Sequence, residues 1–177
     1  NPAPMTRVMG YACSSNLPGV NPGFFAFNWR AVVENGPGLI RGKWLAVKET
    51  GVHLMSHVQI RPASLEDAEN IFQTHKDSVE RLCTADYSAE QIAMWLDGRS
   101  PQTYREAIVG GNVWLAQNDG IQGFVEVDGH EVSKLFIRGS GARQGIGRLL
   151  LEKALQQIRD AGHSRAYLEA TLTAEKF

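Results

Sequence analysis

Two glycines, Gly145 and Gly147, stand where an apolar segment typical of a strand runs into an amphipathic segment typical of a helix. The backbone N–H groups at the start of a helix have no intrahelical acceptor, and they lie at the positive end of the helix dipole. Glycine lets an anionic ligand come close to those N–H groups, because it carries no side chain. We therefore expect this glycine turn, residues 139–147, to bind a diphosphate.

Two common diphosphate-binding patterns do not fit the glycine turn. The dinucleotide pattern G-x-G-x-x-G, counted from Gly139 and Gly141, would need a glycine where Gln144 stands. The pattern G-x-x-x-x-G-K-[ST] finds no match, because the segment contains no Gly-Lys followed by Ser or Thr. A nucleotide-dependent enzyme is therefore disfavoured.

The segment before the glycine turn predicts one strand, two helices and a helical turn. A short alternating strand over 57–61 is closed by Pro62. Capping boxes begin the two helices, at Ser64 with Asp67 and at Ser88 with Gln91. A proline at 101 opens the further helical turn.

Hairpin signals follow, and then a crossover. Asp-Gly turns separate three strands that form an antiparallel meander, over 112–117, 121–127 and 131–137. The third strand leads into the glycine turn and a helix over 145–161, which Gly162 ends. A strand over 165–170 is predicted to lie parallel to the third meander strand, by the right-handed crossover rule.

This order of elements and the glycine turn resemble the GNAT superfamily of acyl-CoA N-acyltransferases, over residues 58–177. The family places [QR]-x-x-G-x-[GA] between strand and helix, and Gly145, Ile146 and Gly147 fit its second half. Ala142 stands at the [QR] position, which is a departure, and Arg143 follows it. The resemblance implies an α/β (α+β) fold: a mixed sheet with an antiparallel meander, a phosphate-binding turn and flanking helices.

The same resemblance divides the chain into an atypical segment, 1–56, and a GNAT-like acetyltransferase domain, 57–177. Apolar and aromatic stretches at 24–33 and 39–48 flank a turn-forming segment, and they predict a β-hairpin over 24–48. The helix and hairpin that follow the fifth strand in the family are absent apart from a short beginning at 174–177. We therefore expect the strand over 165–170 to have an exposed edge, which favours a homodimer.

Two interpretations of the N-terminal hairpin stay open. It could cover the exposed edge, within one chain or by exchange between two copies. It could instead lie outside the natural domain, which would then begin near Met55.

The activity implied by the resemblance is acetyl transfer from acetyl-CoA to a primary amine of a small molecule or peptide. Backbone groups of Leu135, Phe136 and Ile137 would bind the pantetheine arm in the manner of an added strand. N–H groups and charge from the glycine turn and the first helical turn would bind the diphosphate, through Arg143, Gln144, Gly145, Ile146, Gly147 and Arg148. No metal is implied.

Candidate acid–base groups follow from position in the family. Glu131 falls where histone-acetylating relatives carry their general base, and Glu126 on the neighbouring strand is the second candidate. Strand alternation predicts that Glu131 shares one face with Ser133, Leu135 and Ile137. Trp95 and Glu169 are candidates for acceptor binding. Each of these residues also has a plain interpretation, as a solvated carboxylate or as a core aromatic.

A non-enzymatic alternative stays open beside this activity. The chain could be a GNAT-fold module that holds acyl-CoA or a protein partner without turnover. Ala142 and the absent C-terminal elements favour it, and with them the absent tyrosine that protonates the leaving thiolate in many relatives.

Composition narrows the class of protein. The chain has 177 residues, 43% hydrophobic residues and a net charge of -1, which suits one domain and argues against nucleic-acid binding. No apolar run is long enough to span a membrane. The two cysteines, Cys13 and Cys83, are too few for a disulfide framework and indicate a cytoplasmic protein. His53 and His57 lack the glutamate of H-E-x-x-H, so we expect no metal site there.

Overall fold

A mixed sheet with helices on both faces organises the chain. The computed structural model describes residues 29–34 and 58–175, and these ranges contain six strands in the spatial order β1-β6-β5-β4-β3-β2. All neighbours are antiparallel except β5 and β6, which are parallel. The strands are β1 (Trp29–Glu34), β2 (Gln59–Pro62), β3 (Val113–Gln117), β4 (Ile121–Asp128), β5 (Glu131–Ile137) and β6 (Arg165–Ala170).

The helices begin where capping chemistry predicts. Ser64 N–H donates to Asp67 Oδ2 at 2.8 Å, and Ser88 N–H donates to Gln91 Oε1 at 2.8 Å, so both predicted capping boxes are confirmed. Short 3₁₀ turns occur at Leu65–Asp67, Pro101–Tyr104 and Gly139–Gly141. The α-helices are α1 (Ala68–Leu82), α2 (Ala89–Leu96), α3 (Arg105–Val109), α4 (Ile146–Asp160) and α5 (Leu172–Glu175).

Each face of the sheet has its own apolar core. On the α1 face, Ile71 and Tyr104 pack against Leu115 and Phe124 of the central strands. The α4 face buries a second set of side chains from the same strands and from the helix: Val125, Val127, Val132, Leu150, Ala154, Leu155, Ile158 and Ala166. Because side chains alternate along a strand, the two faces present different residues to the two helices.

The meander and the crossover confirm the predicted GNAT-like mixed sheet. β3, β4 and β5 follow one another with antiparallel pairing, and α4 carries the chain to β6 parallel to β5. Gly162 has a φ of 88° just after the helix, which is the left-handed conformation of a helix-ending glycine.

One further strand comes from the N-terminal segment. β1 pairs with β6 from Trp29 opposite Ala170 to Glu34 opposite Arg165, so it covers the β6 edge that β5 does not contact. The expectation of an exposed edge on this strand is therefore wrong, because a strand of the N-terminal segment pairs with it. The second arm of the predicted hairpin, at 39–48, lies outside the described residues, so the hairpin stays a prediction. The same is true of the boundary between the segments 1–56 and 57–177.

Within residues 29–34 and 58–175, no helix combines the length and the apolar character needed to cross a bilayer.

Candidate functional site

The glycine turn forms a concave set of backbone N–H groups. Arg143 has a φ of 61° and Gly145 has a φ of 79°, and Gly145 is the N-cap residue of α4. Within the described chain, no acceptor takes a hydrogen bond from a backbone N–H between 143 and 148. Left-handed residues before a helix N-terminus aim successive N–H groups at one point, which suits a phosphate group.

The side chains of the turn contribute less than its backbone. Arg148 is ion-paired with Glu152 along the helix, at 2.8 Å from Nε to Oε1. Gln144 donates to the carbonyl of Ser140 at 2.7 Å and so stabilises the turn itself. Ile146 is buried against the α4-face core and fixes the helix start. Arg143 of the turn is exposed, and its guanidinium makes no ion pair among the described residues.

A gap opens between β5 and β6 directly before the glycine turn. Their register joins only Glu131 with Tyr167 and Val132 with Leu168 among the residues described. The register of β4 and β5 pairs Glu126 with Lys134 and Val127 with Val132, so Ser133 is the extra residue of a β-bulge. The bulge lies where the two parallel strands part.

The backbone of β5 lines this gap. Arg138 N–H donates to the carbonyl of Gln122 on β4 at 2.8 Å. Because backbone groups alternate in direction along an antiparallel pair, those of Leu135 and Ile137 face away from β4 and into the gap. Those of Phe136 face β4, so Leu135 and Ile137 are the residues of this trio that can pair with an inserted chain.

The bulge also corrects the predicted face of Glu131. Strict alternation along β5 predicts that Glu131 shares a face with Ser133, Leu135 and Ile137, and this prediction is wrong for Leu135 and Ile137. Val132, Leu135 and Ile137 all contact the α4-face core, and they can do so only because Ser133 adds one residue to the strand. Glu131 and Leu135 therefore lie on opposite faces.

Glu126 lies at the closed end of the gap, on the α1 face. The residue is 7% exposed, and its Oε1 accepts hydrogen bonds from Lys134 Nζ and, at 3.1 Å, from Ser133 Oγ. Its Oε2 is buried and has no partner among the described atoms. A buried acceptor without a donor is unfavourable, so this oxygen is suited to a water molecule or an ammonium group.

The other two carboxylates are more exposed. Glu131 is half-buried and faces Tyr167 where β5 and β6 are still paired, before the gap begins. Glu169 is half-buried and follows Leu168, the last residue of β6 that pairs with β5. On its other side it pairs with Arg30 of β1. Glu169 thus lies, like Glu126, near the closed end of the gap.

An aromatic cluster that the sequence did not predict lies beside Glu126. His75 of α1 stacks on Phe136 with ring centroids 3.8 Å apart, and its Nδ1 lies 2.6 Å from the hydroxyl of Tyr104. Burial lowers the pKa of His75 to about 3, and the charges of Arg99 and Lys134 act in the same direction. His75 stands four residues from both Ile71 and Val79, so its sequence position is on the apolar face of α1, but nothing in the sequence indicates its ring partners.

Trp95 joins this cluster edge-on. Its ring centroid lies 6.4 Å from that of His75, 6.3 Å from that of Phe136 and 5.5 Å from that of Tyr87. The indole is half-buried, so part of its ring is available to contact a bound substrate. The hydroxyl oxygen of Tyr87 accepts a hydrogen bond from Leu172 N–H at 3.0 Å, so the α1–α2 connection reaches the chain just after β6.

Across the ranges that the structure covers, no group of three or more His, Cys, Asp or Glu side chains could hold a metal ion.

Comparison with known proteins places this geometry in a family. A model of the acetyltransferase (GNAT) domain matches residues 83–177. No curated protein matches the chain significantly by sequence.

Solved structures of similar fold include a GCN5-related N-acetyltransferase from Rhodopseudomonas palustris. It has a TM-score of 0.64 and 24% identity over 70% of this chain and 79% of that chain. The PaiA N-acetyltransferase from Thermoplasma acidophilum, in complex with coenzyme A, has a TM-score of 0.53 and 23% identity, over 59% of this chain and 74% of that chain. Apo-form YjaB from Escherichia coli has a TM-score of 0.50 and 22% identity, over 67% and 75%. The family match spans more than half of the sequence and the structures share its fold, so the chain belongs to the GNAT acetyltransferase family.

Proposed function

We propose that the protein transfers an acetyl group from acetyl-CoA to a primary amine of a small molecule or peptide. The observation that carries the proposal is the free Oε2 of Glu126, buried at the closed end of a gap whose other end is the glycine turn. A diphosphate at that turn would direct the pantetheine arm along Leu135 and Ile137. The thioester would then lie near the bulge, within reach of the carboxylate.

Glu126 acts as the base in this proposal. A lysine-like amine has a pKa of about 10.4, so at pH 7 the neutral nucleophile costs about 4.6 kcal/mol to produce. Glu126 Oε2 takes the proton, directly or through water, and the amine nitrogen bonds to the thioester carbonyl carbon. Backbone N–H groups of β5 that face the gap stabilise the oxyanion. The C–S bond then breaks, the nitrogen releases its second proton to solvent, and the thiolate of coenzyme A takes up the proton that Glu126 holds.

The half-exposed face of Trp95 and the carboxylate of Glu169 are the proposed acceptor contacts. Trp95 packs against Phe136 on the α1 side of the sheet. Glu169 lies on the same side, because side chains alternate along a strand and the preceding residue, Leu168, packs on the α4-face core. The cytoplasmic location expected from the sequence remains a prediction, and β1 covers the strand edge that favoured a homodimer.

A second candidate function is binding of acyl-CoA or a partner without turnover. The ion pair of Lys134 with Glu126 favours it, because Lys134 already occupies one oxygen of the proposed base.

Release of free thiol from acetyl-CoA in the presence of a panel of primary amines tests the proposal. Glu126→Gln keeps the shape of the side chain but removes the base, so turnover should fall by about 10²-fold or more. The matched variant Glu131→Gln should stay within a few-fold of the wild type. Equal activity in wild type and Glu126→Gln would contradict the proposed base. Binding of acetyl-CoA without thiol release for any amine would favour the second candidate.

A further inference from the structure

The glycine turn is tied to α1 by a carboxylate that the proposed reaction does not use. Asp77 Oδ2 accepts a hydrogen bond from the backbone N–H of Gly139 at 2.8 Å. Gly139 is the first residue of the 3₁₀ turn that follows β5. The other oxygen, Oδ1, pairs with Arg81 Nε at 2.8 Å. Asp77 thus links α1 to the residue at which the chain enters the turn.

A second tie lies one helical turn away on α1. Arg138 Nε donates to Thr74 Oγ1 at 3.1 Å, and Thr74 is fully buried. The turn also packs against the side chains of α1, since a Cβ on Gly139 would lie 2.9 Å from Arg81 Cδ. One face of α1 therefore fixes two consecutive residues between the strand and the turn.

These ties matter because the glycine turn binds through backbone groups. A few N–H groups can converge on one phosphate only if the path of the chain through the turn is fixed. We propose that Asp77 is a positioning residue for the diphosphate of coenzyme A, acting through Gly139. This inference rests on the proposed function, since it requires coenzyme A to bind at the turn.

Calorimetric titration with coenzyme A separates this role from a general contribution to stability. Asp77→Ala removes the acceptor for Gly139 and should weaken coenzyme A binding about tenfold. Asp77→Asn retains an oxygen that can accept from Gly139 and should stay within about threefold of the wild type. Arg81→Gln is the matched control, because it breaks the ion pair and leaves the Gly139 hydrogen bond intact.

Thr74→Val provides a second variant should Asp77→Ala fail to fold, since it removes only the hydroxyl bonded to Arg138. It should weaken coenzyme A binding about threefold or more. With an accepted amine, the KM for acetyl-CoA should rise in Asp77→Ala by the same factor as the dissociation constant, while kcat is unchanged.

The outcomes distinguish the two proposals. Absence of coenzyme A binding by the wild type would overturn the proposed function. Binding by the wild type with equal affinity in Asp77→Ala and Thr74→Val would overturn only the positioning role. Equal loss in Asp77→Asn, Arg81→Gln and Asp77→Ala would also overturn it, because the ion pair rather than the Gly139 hydrogen bond would then be responsible.

Discussion

Two buried polar side chains, Glu126 and His75, each keep one atom without a hydrogen-bond partner among the described residues. Leaving such an atom unpaired costs about 1–3 kcal/mol of folding free energy. For Glu126 the proposed acceptor amine accounts for the free oxygen. His75 lies beside it in the aromatic cluster, where burial disfavours the charged form of its ring.

His75 should make the protein less stable at mildly acidic pH. Its pKa is lowered from 6.5 to about 3 in the folded state, so between these values the unfolded chain binds a proton that the folded chain does not. The free energy of unfolding therefore falls as the pH drops from 6.5 towards 3, by up to about 1.4 kcal/mol per pH unit. Urea unfolding at pH 6.5, 5.5 and 4.5 measures this slope.

The control for this prediction is His75→Gln, whose amide can pair with the Tyr104 hydroxyl but does not titrate in this range. The variant should have a shallower slope than the wild type over the same pH values. Asp67 does not interfere, because its pKa is lowered from 3.8 to about 2 by Arg61 and its effect falls at lower pH. Parallel slopes for wild type and His75→Gln would contradict the burial argument.

At the level of single residues, the sequence predicts those functional groups whose arrangement depends on local spacing. Gly145 and Gly147 could be recognised because the backbone N–H groups of a helix start are a local property. The surroundings of Glu126 could not be predicted, because Lys134, Ser133 and the free oxygen meet only when β4 and β5 pair with a bulge. Glu131 and Glu126 were therefore candidate bases by sequence position alone. Glu126 is the base in our proposal, and a role for Glu131 stays a prediction.

Among the elements, β4 depends on a glycine for its packing. A Cβ on Gly123 would lie 2.6 Å from Ile137 Cδ1, 2.9 Å from the carbonyl oxygen of Phe136 and 3.0 Å from Leu150 Cδ1. The backbone carbonyl cannot move without disturbing the pairing of β4 with β5. Gly123→Ala should therefore lower the free energy of unfolding by about 1–3 kcal/mol, measured by urea denaturation.

Gly120→Ala is the matched control for Gly123→Ala. A Cβ on Gly120, in the β3–β4 turn, would meet no heavy atom within 4 Å. Its unfolding free energy should stay within about 0.5 kcal/mol of the wild type. An equal loss in both variants would show that glycine flexibility, rather than close packing, decides the effect.

The helices and the meander could be predicted because their signals are local. Ser64, Ser88 and Gly162 mark helix ends by hydrogen bonding and by backbone conformation. The bulge at Ser133 could not be predicted, because β5 would place apolar side chains on a buried face of the sheet both with the bulge and without it. It changed the face of Glu131 and, with it, the shape of the gap.

In the molecule as a whole, β1 and β6 join segments far apart in the sequence. β6 contacts β5 at only two register positions but pairs with β1 along its whole length. An edge strand of the N-terminal segment therefore protects the strand that forms one wall of the gap. The sequence predicted an apolar strand in this region, but its partner could not be read from local pattern, because pairing over such a separation depends on the whole fold.

Across the whole molecule, the glycine turn, the gap and Glu126 act together only if coenzyme A binds along all three. Thermal unfolding with acetyl-CoA, desulfo-coenzyme A and NAD tests this binding most directly. At a hundred times its dissociation constant, a ligand of the folded state stabilises it by about 2.7 kcal/mol, which corresponds to roughly 5–10 °C in Tm. We predict such a rise with acetyl-CoA and desulfo-coenzyme A and none with NAD. No rise with either coenzyme A species, or an equal rise with NAD, would contradict the account.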